Sequence, residues 1–192
     1  MSEHPTAEHW TLLDSVTEYE TGWYDGGYDR YEQPDGSTKR YYWAALAPAV
    51  VVVGITEDDR VVFVEQFRPT VRESQFELVA GIVDEHDGEP ADPVDPAAYE
   101  AAAKRELAEE TGYVAETAEL LQSYAVATGV LRHRRGIVVA TGLTAGEPDR
   151  DDNEFLSVDP VPADDALAVA REPPTNDATI EGLLLAAADG YL

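Results

Sequence analysis

Hydrophobic and polar positions change their period several times along the chain. Val16 to Tyr24 and Tyr28 to Gln33 are rich in β-branched and aromatic residues, as strands are. Pro34-Asp35-Gly36-Ser37 is turn chemistry leading into a third such segment, Thr38 to Trp43. Ala49 to Ile55 and Arg60 to Gln66 are near-continuous apolar runs around an Asp58-Asp59 turn, the pattern of buried strands. Glu77 to Ile82 reads as a shorter strand, and Glu119 to Ala127 and Arg135 to Thr144 as two more. Between them lies a helical segment, residues 96 to 111, with Asp95 as N-cap, Pro96 at the first helical position and Gly112 as its stop. An acidic loop, Gly146 to Asn153, precedes a short amphipathic helix from Ala163 to Arg171, which Pro173-Pro174 breaks. Thr179 to Ala188 is the last helix. Strands on either side of a helix, with further helices late, predict an α/β/α sandwich over a mixed sheet. All three tryptophans and six of the ten tyrosines fall before residue 45, so residues 1–44 form a distinct antiparallel meander ahead of a main domain, 45–192.

The helix carries the candidate chemistry. Its last turns read Arg105-Glu106-Leu107-Ala108-Glu109-Glu110-Thr111-Gly112, which puts Glu106, Glu109 and Glu110 at i, i+3 and i+4 on one face. In a chain with 39 Asp plus Glu against 13 Lys plus Arg, such a run is more often a solvated face. The ordered pattern R-E-x-x-E-E-x-G is far rarer. Three carboxylates this close repel one another unless a divalent cation sits among them, and hard oxygen donors favour Mg²⁺ or Mn²⁺. Arg105, one turn before Glu109, is placed to fix that carboxylate.

This stretch resembles the second half of the Nudix box, G-x5-E-x7-R-E-U-x-E-E-x-G-U, where U is aliphatic or aromatic. Glu77-Leu78-Val79-Ala80-Gly81 is similar to the start of that box and Gly88-Glu89 to its later "G-E", with a lengthened loop through Glu89 to Asp95. Val61 to Pro69 resembles the "LVEQYR" strand of ADP-ribose and nucleoside-diphosphate-sugar pyrophosphatases. Ala127-Thr128-Gly129 stands where those enzymes commonly carry Ser-Pro-Gly. The resemblance implies a Mg²⁺-dependent hydrolase (Mn²⁺ as the substitute) with Glu106, Glu109, Glu110 and the Ala80 carbonyl as metal ligands. It also implies a general base from the acidic loop, Glu154, with Asp151 and Asp152 in reserve. Arg68 would reach a phosphate or the terminal ribose, or form a surface ion pair with Glu65 or Glu73; Glu77 would accept from a sugar hydroxyl, or cap or pair near Arg68. The resemblance further implies a homodimer formed through the N-terminal meander. Arg132, in the basic cluster Arg132-His133-Arg134-Arg135, is read from the residues themselves as facing a phosphate or as balancing neighbouring acids.

Three functions stay open on these residues. The first is hydrolysis of a nucleoside diphosphate linked to another moiety, with ADP-ribose or an ADP-sugar favoured. The second is a Nudix enzyme for a dinucleotide, a cofactor or a nucleoside triphosphate. The third is a nucleotide sensor without turnover, which would have no need of Arg105 and all three glutamates. Composition narrows the rest. A net charge of -26 repels nucleic-acid phosphates and resembles proteins adapted to high salt. The absence of cysteine removes disulfides and thiolate chemistry. The longest apolar stretch, Ala44 to Ile55, is too short for a bilayer, and no charged-then-apolar leader opens the chain, so cytoplasm is the expectation.

Overall fold

Valine-rich runs become strands and the segments of helical period become helices. The computed structural model describes residues 6–88, 93–150 and 154–192. In chain order its strands are β1 (Thr11–Glu20), β2 (Tyr24–Glu32), β3 (Thr38–Leu46), β4 (Ala49–Gly54) and β5 (Arg60–Arg68). They continue as β6 (Glu73–Ile82), β7 (Tyr113–Ala125), β8 (Leu131–Arg132), β9 (Arg134–Ala145) and β10 (Leu156–Pro162). The helices are α1 (Pro96–Thr111), α2 (Ala163–Ala170) and α3 (Asp177–Ala188). The chain divides into two units, one of residues up to Ala47 with Ala125–Arg134, the other of Pro48–Tyr124 with Arg135–Leu192.

In the larger unit six strands form one mixed sheet in the order β10-β5-β6-β4-β9-β7. The pair β4 and β9 is parallel, whereas β4–β6, β5–β6 and β5–β10 are antiparallel. Alternate residues of each strand serve opposite faces. Val50, Val52, Val62, Val64, Val79 and Val138 meet Tyr99, Ala102, Ala103 and Leu107 of α1. Val51, Val53, Phe63, Leu78, Ile137 and Val139 meet Ala166 and Ala170 of α2 and Leu183 and Ala186 of α3. The result is an α/β/α sandwich, as the hydrophobic pattern predicts. Each fully buried valine or leucine contributes about 1.5–3 kcal/mol, which anchors the backbone that carries the polar residues.

The smaller unit is a four-stranded sheet in the order β1-β2-β3-β8, antiparallel except for the short β3–β8 pair. Its polar centre is Asp29. This carboxylate accepts from Ser15 Oγ at 2.6 Å and from Trp43 Nε1 at 3.1 Å, and it is ion-paired with Arg132. The guanidinium of Arg132 stacks over the Trp43 ring at 4.0 Å. Those partners hold the Asp29 carboxyl below its usual range, although burial works against them.

Several boundaries differ from the sequence reading, each for a local reason. β1 runs from Thr11 and ends at Glu20, because the Thr21 hydroxyl accepts from the amides of Trp23 and Tyr24 and turns the chain. β2 then starts at Tyr24, not Tyr28, and passes through Gly26-Gly27. A Cβ at Gly27 would lie 2.0 Å from the Val16 carbonyl oxygen, so glycine there admits a close, bulged approach of β1 rather than breaking the strand. β6 begins at Glu73, since Ser74 and Gln75 pair with Phe67 and Gln66 of β5. β7 begins at Tyr113, directly after the helix stop. β10 carries Pro160 and Pro162 and is tolerated as a strand because it lies at the sheet edge.

Candidate active site

Helix α1 positions the acidic residues of the larger unit. The Asp95 side chain accepts from Ala97 N–H at 2.9 Å, Pro96 occupies the first turn, and Gly112 closes the helix with φ 79°. Its buried stripe runs Ala98, Tyr99, Ala102, Ala103, Glu106, Leu107, Glu110. Two glutamates therefore stand where the helical period demands apolar residues. Glu106 is 9% exposed and Glu110 only 5%, whereas the Glu109 side chain keeps 43% of its surface in solvent.

Burying unpaired carboxylates is costly, and the local electrostatics show it. Burial pushes the Glu110 carboxyl up to about 8, with the charges of Glu106 and Glu154 adding to the shift and Arg68 opposing it. Burial also raises Glu106, against the attraction of Arg105. Glu110 Oε2 is buried with no hydrogen-bond partner among the described residues. Gly81 makes room for this arrangement: a Cβ there would lie 1.9 Å from the Glu106 carboxyl carbon. Any side chain at residue 81 would push Glu106 off strand β6.

Arg105 organises the surroundings. Its Nη1 donates to Glu106 Oε1 at 2.9 Å and to Glu109 Oε2 at 3.1 Å, and Nη2 donates to the Ile82 carbonyl at 2.9 Å. A bidentate pair to Asp87, at 3.0 Å from Nε and 2.8 Å from Nη2, fixes the plane of the guanidinium. Chiefly through Asp87, its pKa rises further above the ordinary arginine value. Sequence reasoning missed Asp87. It is separated from Gly81 by five residues, the box spacing, and the Gly88-Glu89 pair drew the alignment away. Glu89 itself lies outside the described residues.

Arg68 and Glu77 meet across β5 and β6. Arg68 Nε donates to Glu77 Oε1 at 2.7 Å, and Asn176, the N-cap of α3, donates from Nδ2 to Glu77 Oε2 at 3.0 Å. The charges of Arg68 and Glu77 are both felt by Glu110, and that of Glu154 by Glu106 and Glu110. The larger unit therefore gathers Arg68, Glu77, Arg105, Glu106, Glu109, Glu110 and Glu154. Ala80 lies on β6 beside Gly81, paired with Val51 of β4. Arg132 belongs to the smaller unit, where Asp29 and Trp43 engage it. Asp151 and Asp152 lie outside the described residues.

The donor set suits a hard divalent cation: oxygen only, buried, and with one orphaned lone-pair site on Glu110. Among the described residues no group of three or more histidine, aspartate or glutamate side chains is closed up as a coordination sphere. Arg105 instead pairs with two of the carboxylates, Glu106 and Glu109. No helix among the described residues is long and apolar enough to cross a membrane.

An α/β/α sandwich with an arginine-tethered acidic helix fits the resemblance carried by the sequence, and similarity to known proteins agrees with it. The sequence profile of the NUDIX domain matches residues 45–183, and the chain belongs to the Nudix family. It is a pyrophosphohydrolase of that family. It is 34% identical over 146 residues to the methanol dehydrogenase activator of Bacillus methanolicus, covering 75% of this chain and 74% of that one. It is 28% identical over 149 residues to the ADP-ribose pyrophosphatase of Bacillus subtilis (strain 168), covering 77% and 75%. The crystal structure of an ADP compounds hydrolase superposes with a TM-score of 0.80 over 95% of this chain and 97% of that one. At 22% identity that likeness speaks for the fold.

Proposed function

We propose that this enzyme hydrolyses the diphosphate linkage of a nucleoside diphosphate joined to a second moiety, ADP-ribose or an ADP-sugar, with Mg²⁺ as its cofactor and Mn²⁺ as a substitute. Water adds to one phosphorus, the bridging P–O bond breaks, and a nucleoside monophosphate leaves with the phosphorylated second moiety. The observation that carries this reading is the buried Glu110 Oε2, which has no hydrogen-bond partner among the described residues, on the same buried helix face as Glu106. The likeness to an ADP-ribose pyrophosphatase supports the substrate class.

Glu106 and Glu110 would hold the cation, with Glu109 and the Ala80 carbonyl completing the shell. Mg²⁺ bound there would supply charge neutralisation at the diphosphate oxygens and a more acidic attacking water. Arg105, fixed by Asp87, orients Glu106 and Glu109. Glu154 takes the proton from the water; that its charge is felt at Glu106 and Glu110 supports a place near them. Arg68, held at Nε by Glu77, offers the end of its guanidinium to a phosphate. In the smaller unit Leu12, Trp23 and Tyr42 are exposed, which supports a homodimer through that sheet, to be checked by light scattering.

The test is a panel of ADP-ribose, ADP-sugars, dinucleotides, cofactors and nucleoside triphosphates, scored for monophosphate release with Mg²⁺. ADP-ribose or an ADP-sugar is expected to lead. Preference for a triphosphate or dinucleotide would move the substrate elsewhere in the family, and tight binding without turnover would make the protein a sensor.

A further inference from the structure

The carbonyls at the end of an α-helix lack intrahelical partners and must find donors elsewhere. In α1 they find them in the segment after β9. Asp149 N–H donates to the Glu109 carbonyl at 3.0 Å, and Gly146 N–H to the Gly112 carbonyl at 2.8 Å. Arg150 completes the set with a side chain: its Nε donates to the Glu110 carbonyl at 2.7 Å. The same guanidinium reaches in a second direction, where Nη1 donates to the carbonyl of Leu156, the first residue of β10, at 3.1 Å. One half-buried fork thus joins the helical turn that bears Glu109 and Glu110 to the strand that begins two residues after Glu154.

We infer that Arg150 is a positioning residue for the hydrolysis, clasping the end of α1 to the start of β10 and thereby setting where Glu154 stands relative to Glu106 and Glu110. This inference rests on the reading of Glu154 as general base. Arginine suits the task because its guanidinium is planar, rigid and always charged, so its two bonds fix a direction as well as a distance. Alanine in place of Arg150 would leave the Glu109 and Gly112 carbonyls with the Asp149 and Gly146 amides and Leu156 in its ladder with Gln66, while removing the link between the two elements. The loss should therefore fall on geometry, where small displacements cost up to about 100-fold. Arg150 and Glu154 also line one open cavity of about 520 Å³ with Glu65, Gln66 and Leu156, so the clasp stands beside space a substrate can enter.

The experiment is a double-mutant cycle on the full chain, using Arg150→Ala, Glu154→Gln and the double variant, with Mg²⁺ and the panel compound that the wild type turns over fastest. Arg150→Ala should lower kcat by about 10- to 100-fold with KM within about 3-fold. In the Glu154→Gln background the same change should cost less than about 2-fold, because the group it positions is already gone. A full, multiplicative loss in that background, or an unchanged kcat in the single variant, overturns the inference. A Glu154→Gln enzyme with wild-type turnover would instead remove the base assignment, and the clasp's role with it. Arg150→Lys, which keeps the charge without the fork, is expected to fall between the two. It carries the cycle if the alanine variant melts below the assay temperature.

Discussion

Helices α1 and α3 pack on opposite faces of one sheet and bury polar groups to different ends. On α3 the buried polar residue is Thr179, and its hydroxyl accepts from the Leu78 amide at 3.1 Å. Its neighbours Gly182, Leu183 and Ala186 are apolar, so that interface is satisfied and serves stability. On α1 the stripe ends in Glu106 and Glu110, one oxygen of Glu110 has no partner among the described residues, and its carboxyl is driven up to about 8. A satisfied buried polar group is architecture, whereas one left unsatisfied calls for a partner, be it water, an ion or a ligand, that the protein itself does not supply.

That contrast is open to attack from both faces. The largest effect belongs to Glu110→Gln, which should lower kcat by roughly 10³-fold or more while raising the melting temperature of the metal-free protein above about pH 8, where the wild-type carboxyl is ionised in its buried site. Activity assays and calorimetry on one preparation would read both changes. If activity and metal-free stability fell together, α1 would be ordinary architecture. Leu183→Ala on the opposite face should do the reverse, costing about 2–5 kcal/mol in denaturant melts with kcat near wild type below the transition. Asp87→Asn should be smaller, lowering activity about 10- to 100-fold as Arg105 loses its bidentate anchor. An Asp87→Asn enzyme as active as the wild type would leave the anchor without a part in catalysis.

Much of this contrast is legible in the order of residues alone. The capped helix, the period-two strands and the R-E-x-x-E-E-x-G register follow from local rules, and the family profile over residues 45–183 agrees with them. The features that stay hidden depend on what lies opposite them in space. Gly26-Gly27 reads as a break until the Val16 backbone is seen against it. Asp87 looks like one acid among many, in a loop whose prolines and Gly88-Glu89 pair distort the spacing. The signal that identifies it is the demand of Arg105 for a planar partner. Arg150 carries no motif at all, because its acceptors are main-chain carbonyls that any sequence supplies.

The raised Glu110 carboxyl also fixes a pH dependence. Its native value, about 8, lies above the ordinary 4.5, so the native state holds the proton more tightly than the unfolded chain. Its contribution therefore favours folding most below about pH 4.5 and falls as pH rises towards about 8. Added Mg²⁺ should displace that proton and stabilise the protein more at pH 8 than at pH 6.

Titration calorimetry of Mg²⁺ into wild-type and Glu110→Gln protein at pH 7, in two buffers of different ionisation enthalpy, tests the central claim most directly. The wild type is expected to bind with net proton release, seen as a buffer-dependent enthalpy, and the variant to bind far more weakly with no such dependence. Equal affinity in the two proteins, with no proton released by either, would contradict the assignment of Glu110 as a ligand.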